Sequence, residues 1–548
     1  MQKTFLITFF NFFKSMKNRK KLLAAAVFIL AAFSASYAVE FDPPLLERDT
    51  VYMSSLGEEV ISDYSSLGYT DTSVNLYDGV VLTPDNLYIL DRKAYVIGGR
   101  ELTIMPGVVI KAVGSSSGLN SRALIVCRDA KIYAAGTPEH PIIFTTVEDP
   151  LDGTYPITEK EKWGGVMILG RAQNNILDGD QNPENPGVAL GYGDGVGYIE
   201  GLPWPDARHH YGDSTSFKNN DNSGILSYIS IRHGGSEIGT ANEINGLTLG
   251  SVGNGTQIDH IEVIANGDDG IEFFGGTVNV KYASIMFCED DYIDWDQGYC
   301  GKIQFVLGVQ LPTTSGGDVY NGVSAGDNGL ECDGYDYLGR TPLSDPTISN
   351  VTIIGNDVGT SGDVGMELKE GTLGEINNSI IAKFAHPVRF TAATHSGALD
   401  LNKNTFVHCG TGVIIGTNGD STGFAAAGNI LVSSLAGFDD SLTIGILNAV
   451  APYENEVFNT YDAVPASYAT QIGDVFTLPT DGFFTAVNYR GAFAPNSEPW
   501  TTDWTYHSVI GTDKTGVECP TDLNNDATTN GEDLLIVLGK FGPCSPVK

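Results

Sequence analysis

The sequence predicts an all-β chain, a right-handed parallel β-helix solenoid with a C-terminal cap and a small α-helical module behind it. Three observations carry this expectation. Sixty-six glycines in 548 residues, with few long apolar patterns of helical period, call for many short elements joined by tight turns. Hydrophobic side chains make up 42% of the chain, enough for a substantial buried core. A degenerate strand segment also recurs at a spacing that suits one turn of a solenoid.

The segments Leu226–Ile231, Ile258–Val263 and Val280–Ile285 align, and further copies begin at Ile348, Ile376, Leu401 and Ala426. Their starts are separated by 32, 22, 68, 28, 25 and 25 residues, and the 68-residue interval has room for about three turns of 20–45 residues. Apolar and polar residues alternate within each segment, which places one set inside the coil and the other on its surface. Asn350, Asn378, Asn404 and Asn429 fall near the turns, where asparagine tolerates left-handed geometry and can stack in ladders.

The remaining organisation follows in chain order. Residues 1–38 have the form of an export signal: Lys17, Arg19, Lys20 and Lys21 precede the apolar run Leu22–Phe33, and Ser36-Tyr37-Ala38 offers small residues for cleavage before Val39. A better signal begins at Met16 than at Met1. Residues 39–78 form a lead and N-terminal cap, and residues 79–438 the solenoid. Within the solenoid, residues 171–224 are a long polar insertion carrying Trp204, His209, His210 and Tyr211, a length associated with functional loops. Residues 439–510, with Trp500 and Trp504, lack the coil period and are expected to close the open strand edges of the last coil. Residues 517–548 are the small module. Beyond the signal, no apolar run is long enough to span a bilayer, so no transmembrane anchor is expected in the mature chain.

Charge narrows the choice of partners. The formal net charge is −36; removal of residues 1–38 takes six basic side chains and no acidic ones, leaving 25 against 67, or −42. Nucleic acid and anionic membranes are poor partners for such a surface, and divalent cations or cationic surfaces suit it better. The seven cysteines contain no C-x-x-C pair, which argues against zinc or redox motifs. Cys519 and Cys544 bracket the module and are candidates for a disulfide after export, while Cys127, Cys288, Cys300, Cys332 and Cys409 are an odd set with at least one expected free thiol.

Several stretches carry a resemblance. Glu101–Lys111, Ala123–Val126, Lys131–Thr137 and Pro141–Thr145 resemble the opening coils of secreted bacterial β-helix proteins of the pectin-lyase-like superfamily. The likeness continues through Trp163-Gly164-Gly165, Ser230–Gly235, Gly275–Lys281 and Tyr489–Phe493, and covers roughly residues 80–508. It implies fold and export, and it brings no residue roles with it.

The strongest internal pattern is acidic: Gly267–Glu272 with Asp268, Asp269 and Glu272; Glu289–Asp294 with Asp290, Asp291 and Asp294; Gly326–Glu331 with Asp327 and Glu331; and Gly362–Glu367 with Asp363 and Glu367. The first two are 22 residues apart, so stacking would set Asp268 beside Asp290 and Glu272 beside Asp294, about 4.8 Å apart across strands. Like charges that close need a cation, a basic side chain or a proton. The pattern is open to two explanations, turn residues or a calcium- or glycan-binding groove. Gly267-Asp268-Asp269-Gly270 is similar to a fragment of polygalacturonase-type hydrolases, but the Gly-His-Gly and Arg-Ile-Lys companions of that family are missing. A lyase needs calcium on a uronate carboxylate and a basic side chain to take the adjacent proton. Glu367, Lys369 and Arg389 are the candidates, weakly similar to calcium-dependent polysaccharide lyases, against a surface ion-pair ladder as the default. Arg232 and His233 are expected to be structural, and the Ser-rich Gly114–Gly118 has no helix after it to make a nucleophile elbow.

In the module, Asp522, Asn524, Asp526, Asn530 and Asp533 stand at positions 1, 3, 5, 9 and 12 of a calcium loop, with the Thr528 carbonyl at position 7 and an apolar segment Leu534–Phe541 behind it. This α-helical calcium-loop module resembles one half of a dockerin, with Ala527 and Thr529 departing from the usual pattern; the resemblance brings a cohesin-like or other anchoring partner into view. The functional expectation is a secreted, extracellular or cell-surface β-helix protein, non-catalytic, serving adhesion, glycan binding or surface structure with Ca2+ as its cofactor. The alternative is a polysaccharide lyase or glycoside hydrolase acting on acidic polysaccharides.

Overall fold

The computed structural model describes residues 44–506 apart from residues 65–68, 115–120, 180, 183–184, 190–192, 200–201, 203–205, 237–243, 312–318, 321–322, 325, 335–339, 357–363, 391–398, 408, 410–426, 433–473, 495–496 and 498. Residues 1–38, expected to be an export signal, residues 517–548 with Cys519 and Cys544, expected to be a calcium-loop module, Trp204 and Asp363 lie outside the described residues.

Two long sheets, almost wholly parallel, wind around one core; among the described residues the broad sheet has 17 strands and the narrow sheet 11. The chain alternates between them, so each circuit lays one more strand on each sheet. From Gly224 onward the broad sheet receives Gly224–Arg232, Gln257–Ile264, Asn279–Met286, Lys302–Val309 and Thr347–Ile354. The narrow sheet receives Leu247–Gly250, Ile271–Phe274, Ile293–Asp296, Leu330–Cys332, Met366–Leu368 and Arg389–Phe390 in between. Parallel pairing at every step is the mark of a β-helix, because parallel strands require a crossover connection.

Each long strand of the broad sheet bends once. Gly224–Arg232 pairs through its first half with Lys131–Ala135 and through its second half with Ile142–Thr146. At the bend stands a residue of positive φ, and these residues form a row: Tyr228 (51°), His260 (51°), Tyr282 (62°), Phe305 (62°), Asn350 (57°), Asn378 (53°) and Lys403 (56°). One position further on runs an asparagine ladder, in which Asn404 Oδ1 accepts from Ser379 N and Asn429 Oδ1 from Asn404 N, both at 2.8 Å. Thus Asn350 and Asn378 occupy the left-handed corner, and Asn404 and Asn429 satisfy the backbone of the preceding coil. Gly224 opens its strand at φ 115°, where a side chain would overlap the Ile132 carbonyl.

Inward positions stack in columns. Leu226, Ile258, Val280, Ile303, Ile348 and Ile376 follow one another in register and are all buried, facing Phe273 and Trp295 of the narrow sheet. Each such aliphatic side chain contributes about 1.5–3 kcal/mol by leaving water. The structure corrects one count: between Val280 and Ile348 lies a single further strand, Lys302–Val309, so the 68-residue interval holds two turns rather than three. The excess length forms a loop with the short antiparallel pair Val319–Tyr320 and Val323–Ser324.

Three accessory pieces complete the solenoid. Gly57–Tyr64 pairs antiparallel with Tyr69–Leu76, which starts the narrow sheet by pairing with Ala94–Val96. The insertion lies on the outer face of the narrow sheet's early strands, where Tyr198, Ile199, Leu202 and Tyr211 pack on Tyr95, Ile125, Met167, Leu169 and Phe274. His209 is buried there between the Tyr95 and Tyr198 hydroxyls, at 2.7 and 2.8 Å. The described residues from 474 to 506 run as a strap along the side of the broad sheet. They begin at Asp474, paired with Lys403 at 2.6 Å, and end at Tyr506, whose N–H donates to Glu262 at 2.7 Å. Phe493 and Tyr506 close over Ile264, Met286, Val309, Ile354 and Val407. Of residues 439–510, where closure of the last coil is expected, 439–473 and 507–510 lie outside the described residues, and the described part, with Trp500 and Trp504, is this strap along the broad sheet. Cys127, Cys288, Cys300, Cys332 and Cys409 are free thiols, and no described helix is long and apolar enough to cross a membrane.

Candidate functional site

Beyond the insertion, the outer face of the narrow sheet carries the acidic residues. In Ile271–Phe274 and Ile293–Asp296, Ile271, Phe273, Ile293 and Trp295 turn inward, leaving Glu272 and Asp294 on the outside. Register then builds a single row of Glu272, Asp294, Glu331, Glu367 and Arg389 on successive strands. The next outward row brings Asp296 in line with Phe274, and Phe274 is covered by Tyr211 of the insertion.

A second row occupies the turn before each of these strands. Asp269 Oδ1 accepts from Asp291 N at 2.8 Å, and Asp291 Oδ1 accepts from Asn328 N at 2.6 Å. These carboxyls therefore cap the next coil, and the turn explanation is correct for that part of their role. A cluster remains. Single oxygens of Asp268, Asp269 and Asp290 lie within 4.8 Å of one another, and so do those of Asp269, Glu272 and Asp294. Asp327 follows Asp290, donating its N–H to the Asp290 carbonyl at 3.3 Å.

The electrostatics are set by crowding in a poorly solvated place. Burial, joined by the charges of Asp268, Asp290, Asp294 and Asp291, pushes the Asp269 carboxyl well above the ordinary carboxylate range. Burial and the Asp327 charge push Asp291 up to about 7. Asp294 is likewise raised well above its ordinary value by burial and then by Glu272 and Asp333. Several oxygens are left over: among them Asp294 Oδ1 and Asn245 Oδ1 are sealed from solvent with no hydrogen-bond partner, while Asn245 Nδ2 donates to Glu272 Oε2. Carboxylate and amide oxygens, one of them orphaned inside the cluster, are a donor set suited to a hard divalent cation such as Ca2+.

The three lyase candidates, Glu367, Lys369 and Arg389, are brought together on the same face, and the two basic ones are engaged with acids. Arg389 binds Glu367 through both Nε, at 3.0 Å from Oε1, and Nη2. Lys369 pairs with Glu331 and lies 3.9 Å from Asp333. Arg232 and His233 are buried: Arg232 Nε donates to Ser230 Oγ at 2.8 Å, and His233 Nδ1 bonds the Glu159 carbonyl at 2.7 Å. Sequence reasoning missed Asn245. Its signal is the dipeptide before the strand, since Asn245-Gly246, Asp269-Gly270 and Asn328-Gly329 each precede an inward-facing aliphatic residue.

The family model of the pectate-lyase like beta helix domain matches residues 74–413, and the chain belongs to that family. The match fits a polysaccharide-related protein. No curated protein and no solved structure matches the chain.

Proposed function

We propose that the chain is an extracellular or cell-surface β-helix protein that binds acidic polysaccharide without cleaving it, through calcium held on the outer face of the narrow sheet. One observation carries the proposal: the carboxyls of Asp269, Glu272 and Asp294 crowd within 4.8 Å, while the face's basic groups Lys369 and Arg389 are tied to Glu331 and Glu367. Calcium relieves the crowding and leaves coordination positions for a uronate carboxylate. A base for proton abstraction must reach the substrate, and in this structure both candidate side chains, Lys369 and Arg389, are occupied by carboxylates of the chain itself. Adhesion or surface structure is the role this gives, with the C-terminal module as a second calcium site and point of attachment to a cohesin-like or other anchoring partner.

The test is a screen of the secreted chain against pectin, alginate and polygalacturonate, with calcium and with chelator. Calcium-dependent retention without unsaturated uronide supports the proposal, and no retention on any polyuronate removes it. The lyase is the second reading, favoured by the presence of Glu367, Lys369 and Arg389 on one face. Unsaturated product that disappears in Lys369→Ala or Arg389→Ala would establish it.

A further inference from the structure

The left-handed corner row contains a stack of rings. Tyr228, His260, Tyr282 and Phe305 hold the corner in four successive coils, at centroid separations of 4.2, 4.5 and 5.0 Å and interplanar angles of 13°, 19° and 15°. Tyrosine rings cover both faces of the His260 imidazole. Trp504 of the strap, 6.0 Å away and inclined at 74°, therefore meets the imidazole along its edge. Trp504 also packs on Tyr228 at 5.5 Å, and Trp500 on Tyr282 at 5.5 Å. The far end of this strap segment is fixed separately, by Tyr506 N–H on Glu262.

The charged surroundings are few. His260 Nδ1 bonds Asp259 Oδ1 at 2.8 Å, and Asp259 also accepts from Ser227 Oγ and Gln257 Nε2. Burial works against the Asp259 carboxylate, but the bonds from His260, Ser227 and Gln257 outweigh it and hold its pKa below the ordinary value. Lys281, the register neighbour of Asp259, points its amine at the Phe483 carbonyl and Thr485 Oγ1 of the strap. Glu139 acts on Tyr228 and Asp481 on Lys281 through their charges. Histidine is the side chain in this group whose charge changes between about pH 5 and 8.

We infer that the strap is a latch tightened by a proton, and that His260 is its sensor. Tyr228 and Tyr282 flank the imidazole whether or not the strap is seated, so they favour the imidazolium equally in both states. Trp504 touches it only when the strap is seated. Its indole, the aromatic ring that attracts cations most strongly, supplies the differential contact that a switch requires. His260 is a positioning residue here, acting through Trp504.

Hydrogen exchange of the full chain, followed over residues 499–506 and corrected for the chemical rate, tests this. At about pH 5.5 the segment is expected to be about fivefold better protected than at about pH 8. His260→Phe preserves the stack and should abolish the difference; His260→Gln serves if the phenylalanine variant does not fold. Equal protection at both pH values in the wild-type chain overturns the inference. So does an undiminished pH difference in the His260 variants, or one that vanishes in Glu262→Gln while persisting in them.

Discussion

Glu272 and Asp294 stand at the same register position on adjacent strands of the narrow sheet, and Oδ1 of Asp294 is shut off from both water and any hydrogen-bond donor. Neighbouring carboxylates so placed are unstable as a pair of bare anions, and the molecule must hold protons or a cation there.

The first prediction concerns that exchange. Asp291 is raised to about 7 in the folded chain, whereas an unfolded aspartate titrates near 3.9. The folded chain thus keeps a proton that the unfolded chain releases, and this stabilising contribution is full below about pH 4 and lost as pH rises through about 7. In chelator, the thermal midpoint should fall between pH 5 and 8. Calcium at a hundred times its dissociation constant should restore about 2.7 kcal/mol at pH 8, and Asp294→Asn should blunt that response. A midpoint indifferent to calcium at pH 8 would remove the cation from the face.

A second prediction addresses the corner row. Asn378 has φ 53°, donates Nδ2 to the Phe476 carbonyl at 3.0 Å and accepts the Phe476 N–H at 2.6 Å. Asn378→Ala loses both bonds and adds left-handed strain, an expected cost of about 2–4 kcal/mol in chemical denaturation. Asn378→Gly keeps the conformation and should cost about 1–2 kcal/mol less than the alanine. Equal losses in the two variants would show that the corner geometry carries no strain.

The third lies where the insertion meets the first coil. Burial opposes the Asp206 charge, but the Arg208 guanidinium and backbone N–H hold its carboxyl down to about 2, with Tyr64 donating to it at 2.9 Å. Because the folded value lies below the unfolded one, the contribution is present above about pH 4 and disappears as pH falls through 2. Asp206→Asn should cost about 1–3 kcal/mol at neutral pH and lessen the acid sensitivity of the insertion's protease resistance. An unaltered acid profile would place the tether elsewhere.

The fourth concerns residues 517–548. Asp522, Asp526 and Asp533 repel one another without a cation, and the apolar segment after them is too short for a stable isolated helix. Calcium titration of the module should produce helix in circular dichroism with one equivalent bound, and Asp522→Ala or Asp533→Ala should prevent it. No gain of structure at millimolar calcium would exclude the module from attachment.

The sequence made the solenoid legible because inward columns such as Ile258, Val280 and Ile303 repeat with the coil, and a one-residue slip would turn each outward. It also placed Glu272 opposite Asp294, since both acids sit at the same offset from an inward isoleucine. Three features escaped it for physical reasons. Coil number between Val280 and Ile348 was overcounted because a loop of any length can leave a β-helix without disturbing its register. Asn245 belongs to a turn whose predecessor loop has no period. An ion-pair ladder is the default reading of Lys369 and Arg389 from sequence, but which acid each one takes, Glu331 and Glu367, depends on side-chain reach across strands, which spacing alone does not specify.

The strap also acts as a ruler. Its ends are pinned to different coils, Asp474 at Lys403 and Tyr506 at Glu262, with Asn378, Asn350, Gln304 and Lys281 engaged between them. Adding or deleting a coil between Glu262 and Lys403 would shift one end by about 4.8 Å, the spacing of adjacent strands, and put the anchors beyond the shift out of step with the rest. In this chain a change in the number of turns requires a matching change in the downstream strap, so the length of the acidic face is tied to the length of the strap.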